Sequence, residues 1–228
     1  MRWVTDSALS ATSPTQEFAA AAIPARYALE RGAWAEAAAL RVRPANTTYT
    51  VVEAITHFAR AIGAARNGNP AAATADIDEL AALRDKLRDA KDAYWTEQVD
   101  IQRRVALAWQ TFARGRKDEA IAQLGAAADA EDATDKSAIS PGPLAPSREL
   151  FGYMLLEAGK PREALAAFEA TMKKEPNRFR GLYGGASAAA AAGDRARATA
   201  YYKMLLEVAK ESDTQRPELQ QAKKYLGS

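Results

Sequence analysis

The sequence predicts an all-α protein made of antiparallel helix hairpins, because four positions with a fixed spacing recur along the chain. Five glycines carry a small residue seven positions earlier and an alanine five positions later, and the last four copies add a large apolar residue nine positions after the glycine. The glycines are Gly32, Gly68, Gly115, Gly159 and Gly193. The small residues before them are Ala25, Ala61, Ala108, Gly152 and Ala186. The alanines after them are Ala37, Ala73, Ala120, Ala164 and Ala198, and the large residues are Ile77, Leu124, Phe168 and Tyr202. Since glycine can end a helix in a left-handed turn and small residues let two helices approach closely, each glycine is expected to mark the turn of one hairpin.

The composition of the chain argues against several classes of function. The 228 residues carry a net charge of +2 with acids and bases interspersed, so no single-sign field indicates nucleic-acid binding. There is no cysteine, which excludes disulfides, thiol catalysis and thiolate metal sites. Residues 1–20 hold no uninterrupted apolar run, so we expect no signal peptide and no membrane insertion within this chain, and a cytoplasmic location only by default.

The first two hairpins are expected at about 14–43 and 50–88. Ser13-Pro14 reads as an N-cap followed by proline at the first helical position, and the helix should run towards Glu30 with a kink at Pro24. A short partner helix is expected from Trp34 to Val42. In the second hairpin, Asn69-Pro70 is expected to cap and start the second helix.

The remaining hairpins are expected at about 94–130, 147–174 and 178–210. An irregular loop is expected over 129–146, because its second half is rich in proline. A last helix over 214–226 should cap the apolar face that a terminal repeat exposes. The whole chain, 1–228, is expected to form a single array.

Residues 145–210 resemble two tandem tetratricopeptide repeats, and the likeness weakens towards the N-terminus. The matching residues of the first copy are Phe151, Gly152, Gly159, Ala164, Phe168, Pro176 and Asn177. Those of the second are Leu182, Ala186, Gly193, Asp194, Ala198 and Tyr202. The resemblance implies a right-handed superhelical solenoid whose first helices line a concave surface that takes up peptides or partner helices.

In that architecture the inward-facing positions lie ten, six and three residues before each hairpin glycine. They give an apolar and aromatic groove, and the candidate binding residues are Phe58, Ile62, Trp109, Phe112, Glu149, Tyr153 and Tyr183. Glu149 is expected to supply polar specificity. The alternative at this point is that Phe58, Trp109 and Phe112 are core residues between adjacent hairpins.

The expected function is therefore a scaffold or adaptor that binds a protein or peptide, and not an enzyme. His57 is the only histidine, and we expect it to pair with Glu53 four residues earlier rather than to bind a metal. No catalytic residue, metal or cofactor is expected. The alternative function is a self-assembly element, in which another copy of the chain or a segment of a longer protein occupies the groove.

Overall fold

The computed structural model describes residues 13–42, 47–134, 142–212 and 215–227, and all regular structure within these ranges is α-helical. The chain divides into two compact units, residues 1–145 and 146–228. Within each unit, helices pack against their neighbours in sequence. The expected all-α, repeat-like architecture is confirmed at this level, whereas the single array over 1–228 and the superhelical solenoid stay predictions.

Six helices of the described residues lie in the first unit. They are α1 (Pro14–Glu30), α2 (Trp34–Ala38), α3 (Thr50–Arg66), α4 (Ala73–Asp89), α5 (Ala93–Ala113) and α6 (Lys117–Ala133). Helix α3 packs against both α1 and α5, so these three first helices of the hairpins lie side by side. The second helices α2 and α4 each pack against the first helix on either side of them, and α6 packs against α5.

Five helices of the described residues lie in the second unit. They are α7 (Ser147–Glu157), α8 (Pro161–Lys174), α9 (Phe179–Ala191), α10 (Arg195–Val208) and α11 (Pro217–Leu226). Helix α9 packs against α7, α8 and α10, and α11 packs against α10. Leu219 and Ala222 of α11 join a buried cluster with Leu182 of α9 and Leu205 of α10. Helix α11 therefore covers the apolar side of the last hairpin, as expected of a capping helix.

All five repeat glycines adopt the left-handed backbone conformation that their positions predict. Their φ angles are 61° at Gly32, 80° at Gly68, 86° at Gly115, 77° at Gly159 and 81° at Gly193. At each of them one helix has just ended and the next begins within a few residues. The glycine register therefore marks the hairpin turns, because this conformation strains residues that carry a Cβ atom.

The small residues of the register lie at the helix contacts. All ten of these residues are buried, and the nine alanines among them are fully inaccessible to solvent. The contact is closest around Phe168, whose ring lies against Gly184 and would stand 2.8 Å from a Cβ atom on Gly152. Any larger side chain there would displace the ring, so the fully buried Phe168 depends on both glycines.

Several helix boundaries differ from those expected. Helix α2 stops at Ala38 instead of reaching Val42, and the main-chain N–H of Leu40 there closes a tighter turn onto Ala37. Helix α4 begins at Ala73, since Asn69 and the proline after it form a separate turn. Helix α6 continues to Ala133, so the predicted start of the loop at 129 is wrong.

The other boundaries are close to those expected. Ser13 precedes α1, where its main-chain N–H donates to Gln16 Oε1 at 2.8 Å, and the helix continues through Pro24. Helices α7 and α8 lie within 147–174 and helices α9 and α10 within 178–210, so their bounds differ from the expected ones by at most two residues. Helix α11 begins at Pro217, three residues later than expected. Residues 135–141 of the predicted loop and residue 214 lie outside the described residues.

Candidate functional site

The expected groove residues of the first unit are mostly interior. Phe58 and Ile62 of α3 and Trp109 of α5 are buried, with 2%, 0% and 2% of their surfaces exposed. Phe112 of α5 is half-buried. The burial of Phe58 and Trp109 matches the alternative in which these residues belong to the core between adjacent hairpins. Phe112 alone among the four retains a substantial accessible surface.

An arginine between two tryptophans explains why Trp109 is interior. The Arg66 guanidinium carbon lies 4.2 Å from the centre of the Trp109 ring and 4.8 Å from that of Trp34. Arg66 lies on α3, Trp109 on α5 and Trp34 on α2, so the stack ties three helices together by cation–π attraction. The Trp109 indole nitrogen finds no hydrogen-bond acceptor among the described residues.

A second aromatic contact joins the outer first helices of this unit. The ring centres of Phe18 on α1 and Trp95 on α5 lie 6.1 Å apart, although α3 packs against both of these helices. Asp92 caps α5 by accepting a hydrogen bond from the Trp95 main-chain N–H at 3.1 Å, so Trp95 is held in the first turn of the helix. Sequence reasoning missed Phe18, Trp95, Trp34 and Arg66, because their partners are distant in sequence.

The expected groove residues of the second unit are held by a charged cluster. The Glu149 carboxylate on α7 is fully buried and accepts hydrogen bonds from Arg178 Nε at 2.7 Å and Nη2 at 3.2 Å. The Nε atom of Arg180 lies 3.4 Å from the same carboxylate. Glu149 is therefore committed to the chain's own arginines, which leaves no exposed carboxylate at the position expected to give polar specificity.

Tyr153 of α7 lies directly beside this cluster. Its hydroxyl donates to the main-chain carbonyl of Arg180 at 2.8 Å, and the Arg180 guanidinium stands 4.3 Å from its ring centre. Its ring also meets Phe168 edge-on, with centres 4.9 Å apart. Burial raises the pKa of the Tyr153 hydroxyl, so this group stays a hydrogen-bond donor through the physiological range. Tyr153 is half-buried, with one ring face covered by the arginine.

Tyr183 of α9 is the remaining expected residue, and it is also half-buried. Its hydroxyl donates to Gln221 Oε1 on α11 at 2.7 Å, which links the capping helix to the hairpin before it. Burial raises the pKa of Tyr183, and hydrogen bonding with Ser187 acts in the opposite direction without cancelling the rise. The structure thus places Tyr153 and Tyr183 on the packed helices α7 and α9, each fixed by its hydroxyl.

The pairing expected for His57 is wrong. Its Nδ1 atom lies 2.7 Å from Asp76 Oδ1 on α4, and Arg60 Nε lies 3.2 Å from the same oxygen. Asp76 is buried, so it needs partners: the Arg60 guanidinium supplies the opposite charge, and the His57 ring nitrogen supplies a hydrogen-bonding contact. Glu53 shares a helix face with His57 but is not the partner that the structure gives it. Spacing along one helix could not reveal Asp76, because the contact crosses between helices.

A shallow cavity of about 330 Å³ opens between α8 and the start of α10. Its polar lining is two arginines and two acids, and three apolar residues complete the wall. The lining residues are Arg162, Leu165, Ala166, Glu169, Ala192, Asp194 and Arg197. Arg197 pairs with both acids, at 3.3 Å from Glu169 and 3.4 Å from Asp194, so the charges of this cavity largely satisfy one another.

Across the described ranges, no three or more side chains of histidine, aspartate or glutamate come together to hold a metal ion. None of the helices in those ranges is both long and apolar enough to cross a membrane.

Comparisons with known proteins give no family assignment. No protein-family model, curated protein or solved structure matches this chain.

Proposed function

We propose that this chain is a protein-interaction module whose hairpins are repeats of the tetratricopeptide type, following the right-handed superhelical course of that family. The shared register of left-handed glycines and buried alanines supports the proposal, because it supplies the closely packed helix pairs from which such repeats are stacked. Scaffolds of this kind bind partners through the first helices of their hairpins.

The observation that carries the proposal is the pair of partly buried tyrosines on α7 and α9, each of which keeps some accessible surface. Tyr153 and Tyr183 are both anchored by their hydroxyls, at 2.8 Å and 2.7 Å from their acceptors. Anchored aromatic side chains offer a large contact area and lose little conformational freedom when a partner binds. In the first unit, Phe112 offers the same kind of surface. A partner segment with aliphatic or aromatic side chains, either extended or helical, fits the tyrosine pair of the second unit, and Phe112 is a separate candidate contact on the first unit.

The buried members of the expected groove hold the helices of their own unit in position. Phe58, Ile62 and Trp109 fill the interior of the first unit, and Glu149 holds the arginines that fix Tyr153. In this proposal the contacting residues are Phe112, Tyr153 and Tyr183, and the other four hold the helices in position.

Selection of peptides from a displayed random library tests the proposal. Peptides enriched on the wild-type chain are expected to lose binding to Tyr183→Ala, because the exposed ring that contacts them is removed. Tyr27→Ala is the matched control, since Tyr27 is an exposed tyrosine on α1 of the first unit and is not among the proposed contact residues. Failure of the library to enrich any peptide, or equal binding to the Tyr183→Ala variant, would contradict the proposal.

Self-assembly is the second candidate function, and an apolar stripe on α10 favours it. Met204 and Val208 lie one helical turn apart and are 44% and 46% exposed. Light scattering over a concentration series separates the two candidates. If the chain self-assembles, its average mass is expected to rise with concentration, and Met204→Lys should abolish the rise. If it is an interaction module, the mass should stay constant, and Met204→Lys should still bind the selected peptides.

A further inference from the structure

The turn between α3 and α4 differs from the other four glycine turns. In those four, the glycine N–H donates to the carbonyl three residues earlier. The pairs are Gly32 to Leu29 at 3.1 Å, Gly115 to Phe112 at 2.9 Å, Gly159 to Leu156 at 3.0 Å and Gly193 to Ala190 at 3.1 Å. The N–H of Gly68 has no acceptor anywhere in the part of the chain that the structure describes. One main-chain nitrogen of this turn is therefore left to solvent.

Asn67, directly before Gly68, is exposed in the same turn. Its main-chain N–H donates to the Gly63 carbonyl at 2.9 Å, while its side-chain amide has no partner among the described residues. Gly68 carries no side chain, and the space where its Cβ atom would stand is open to 4 Å. Asn67 and Gly68 are thus adjacent exposed residues, and no Gly68 side chain shields its main-chain nitrogen.

We propose that Asn67 is a site of spontaneous covalent modification, through attack of the Gly68 main-chain nitrogen on the Asn67 side chain. The nitrogen forms a bond to Cγ, the bond from Cγ to the amide nitrogen breaks, and the Gly68 proton leaves with that nitrogen as ammonia. The product is a five-membered succinimide. Water then opens the ring at either carbonyl and gives aspartate or isoaspartate, so water is the sole co-reactant and no electron is transferred to another molecule.

The turn must open before the ring can close. The ψ angle of Asn67 is 16°, which directs the Gly68 nitrogen away from Cγ, so the chain has to rotate about the Asn67 Cα–C bond. A hydrogen bond from the Asn69 N–H to the Ala64 carbonyl, at 3.0 Å, opposes that rotation. The reaction rate therefore reports how often this turn opens locally while the protein stays folded.

Modification would weaken the second hairpin. Isoaspartate inserts an extra methylene into the main chain at a tight turn whose closure depends on the bonds of Asn67 and Asn69. Either product also places a carboxylate beside the last carbonyls of α3, where the helix dipole repels negative charge. Aged protein is expected to melt at a lower temperature than fresh protein.

Two other asparagines provide controls within the same chain. Asn69 is followed by Pro70, which has no N–H to attack with, and its Oδ1 accepts a hydrogen bond from the Ala72 N–H at 3.3 Å. Asn177 is followed by Arg178, whose side chain crowds the attacking nitrogen and is held by Glu149. The structure therefore assigns the modification to Asn67 and not to these two positions.

The test is incubation of the folded chain at mildly alkaline pH in water labelled with heavy oxygen, followed by digestion and mass spectrometry. Position 67 is expected to gain a labelled carboxylate, mainly as isoaspartate, while the peptides of Asn69 and Asn177 keep their amides. Urea below the unfolding transition should accelerate the conversion. Ageing is expected to lower the melting temperature of the wild type and to leave that of Asn67→Gln unchanged.

Two results would overturn the proposal. One is an intact amide at Asn67 in the folded chain over an interval in which the urea-unfolded chain is converted, since the turn would then protect the site. The other is conversion of Asn177 at the same rate as Asn67, because the selectivity assigned to the free Gly68 nitrogen would then be absent.

Discussion

The two units fill equivalent positions of the repeat with different chemistry. At ten and six residues before the hairpin glycine, the first unit has Phe58 and Ile62 on α3, which are both apolar and buried. The second unit has Glu149 and Tyr153 at those positions on α7. There the interior is occupied by an ion cluster in which Arg178 and Arg180 meet one fully buried carboxylate.

This difference shows that a position in the repeat determines which helix a residue faces and does not determine whether the residue is exposed. In the first unit, Arg66 packs on Trp109 and Phe18 meets Trp95, so large side chains cover the surface that the repeat would otherwise present. In the second unit, hydrogen bonds fix Tyr153 and Tyr183 while leaving part of each ring accessible. Partner binding is therefore expected to depend more on the second unit.

Truncation of Trp109 should have the largest effect on stability. Trp109→Ala removes a buried ring and leaves a cavity, so the free energy of unfolding is expected to fall by about 3–5 kcal/mol. Urea titration followed by circular dichroism measures the change. Tyr27→Ala, which truncates an exposed ring in the same unit, should stay within about 0.5 kcal/mol of the wild type. Equal losses in both variants would show that the Arg66–Trp109 stack contributes little.

Removal of the buried carboxylate should rank next. Glu149→Ala leaves Arg178 and Arg180 without their shared partner, and the expected loss in free energy of unfolding is about 3 kcal/mol. Glu163→Ala is the matched control, because that glutamate is 60% exposed and its contact with Lys160 is a surface pair 3.5 Å long. The control should cost no more than about 1 kcal/mol. A double-mutant cycle with Arg178→Ala would reveal whether the two charges are coupled, and absence of coupling would count against the ion cluster as the organising element.

Substitution of the turn glycines should affect the two units equally. Gly115→Ala and Gly159→Ala each place a Cβ atom on a left-handed residue with open space around it, so the cost is backbone strain alone, about 1 kcal/mol. Gly181→Ala lies inside α9 with its nearest neighbours at 3.6 Å or more, and helix propensity predicts the opposite sign, a gain of up to about 1 kcal/mol. Chemical denaturation of the three variants measures the change in the free energy of unfolding for each of them. Unequal costs at the two turns would mean that the units do not share one hairpin geometry.

The repeat contacts could be predicted from the sequence because they depend on local spacing. Ala108 and Ala120 lie on opposite sides of Gly115, and a helix period brings both to the contact between α5 and α6 once the turn is placed. The large residue nine positions after the glycine is also buried, because the helix period places it on the same side of its helix as the alanine. Phe168 and Leu124 are examples. Helix ends were less predictable, since α2 ends early and α6 continues past 129 for reasons that involve only a few hydrogen bonds.

The candidate site could be predicted only in part, because exposure depends on contacts between distant residues. Glu149 contacts two arginines about thirty positions later in the chain, at 178 and 180. The spacing of residues within α7 does not predict these contacts. His57 likewise meets Asp76 on another helix rather than Glu53 on its own. Tyr183 was correctly placed on α9, but its bond to Gln221 depends on how α11 docks.

Carboxylate titration offers the finest comparison between the units. Burial acts to raise the pKa of Asp100 on α5 and of Glu218 on α11, yet hydrogen bonds from arginines outweigh it and lower both. A carboxylate whose pKa is lower in the folded than in the unfolded chain stabilises the fold above its unfolded pKa. That contribution is lost as the pH falls through the folded pKa. Protonation of Asp100 and Glu218 is therefore expected to lower the free energy of unfolding only in acid.

Arginine variants should separate the two carboxylates. Asp100 accepts from both Arg103 and Arg84, so Arg103→Gln should restore its pKa only in part, because Arg84 remains at 3.1 Å. Glu218 takes its side-chain hydrogen bonds from Arg216, so Arg216→Gln should move its pKa back further. Carbon-detected NMR titration of the carboxyl groups measures both shifts. A larger recovery at Asp100 than at Glu218 would show that Arg84 does not share the carboxylate in solution, and that the helices α4 and α5 are joined without this ion pair.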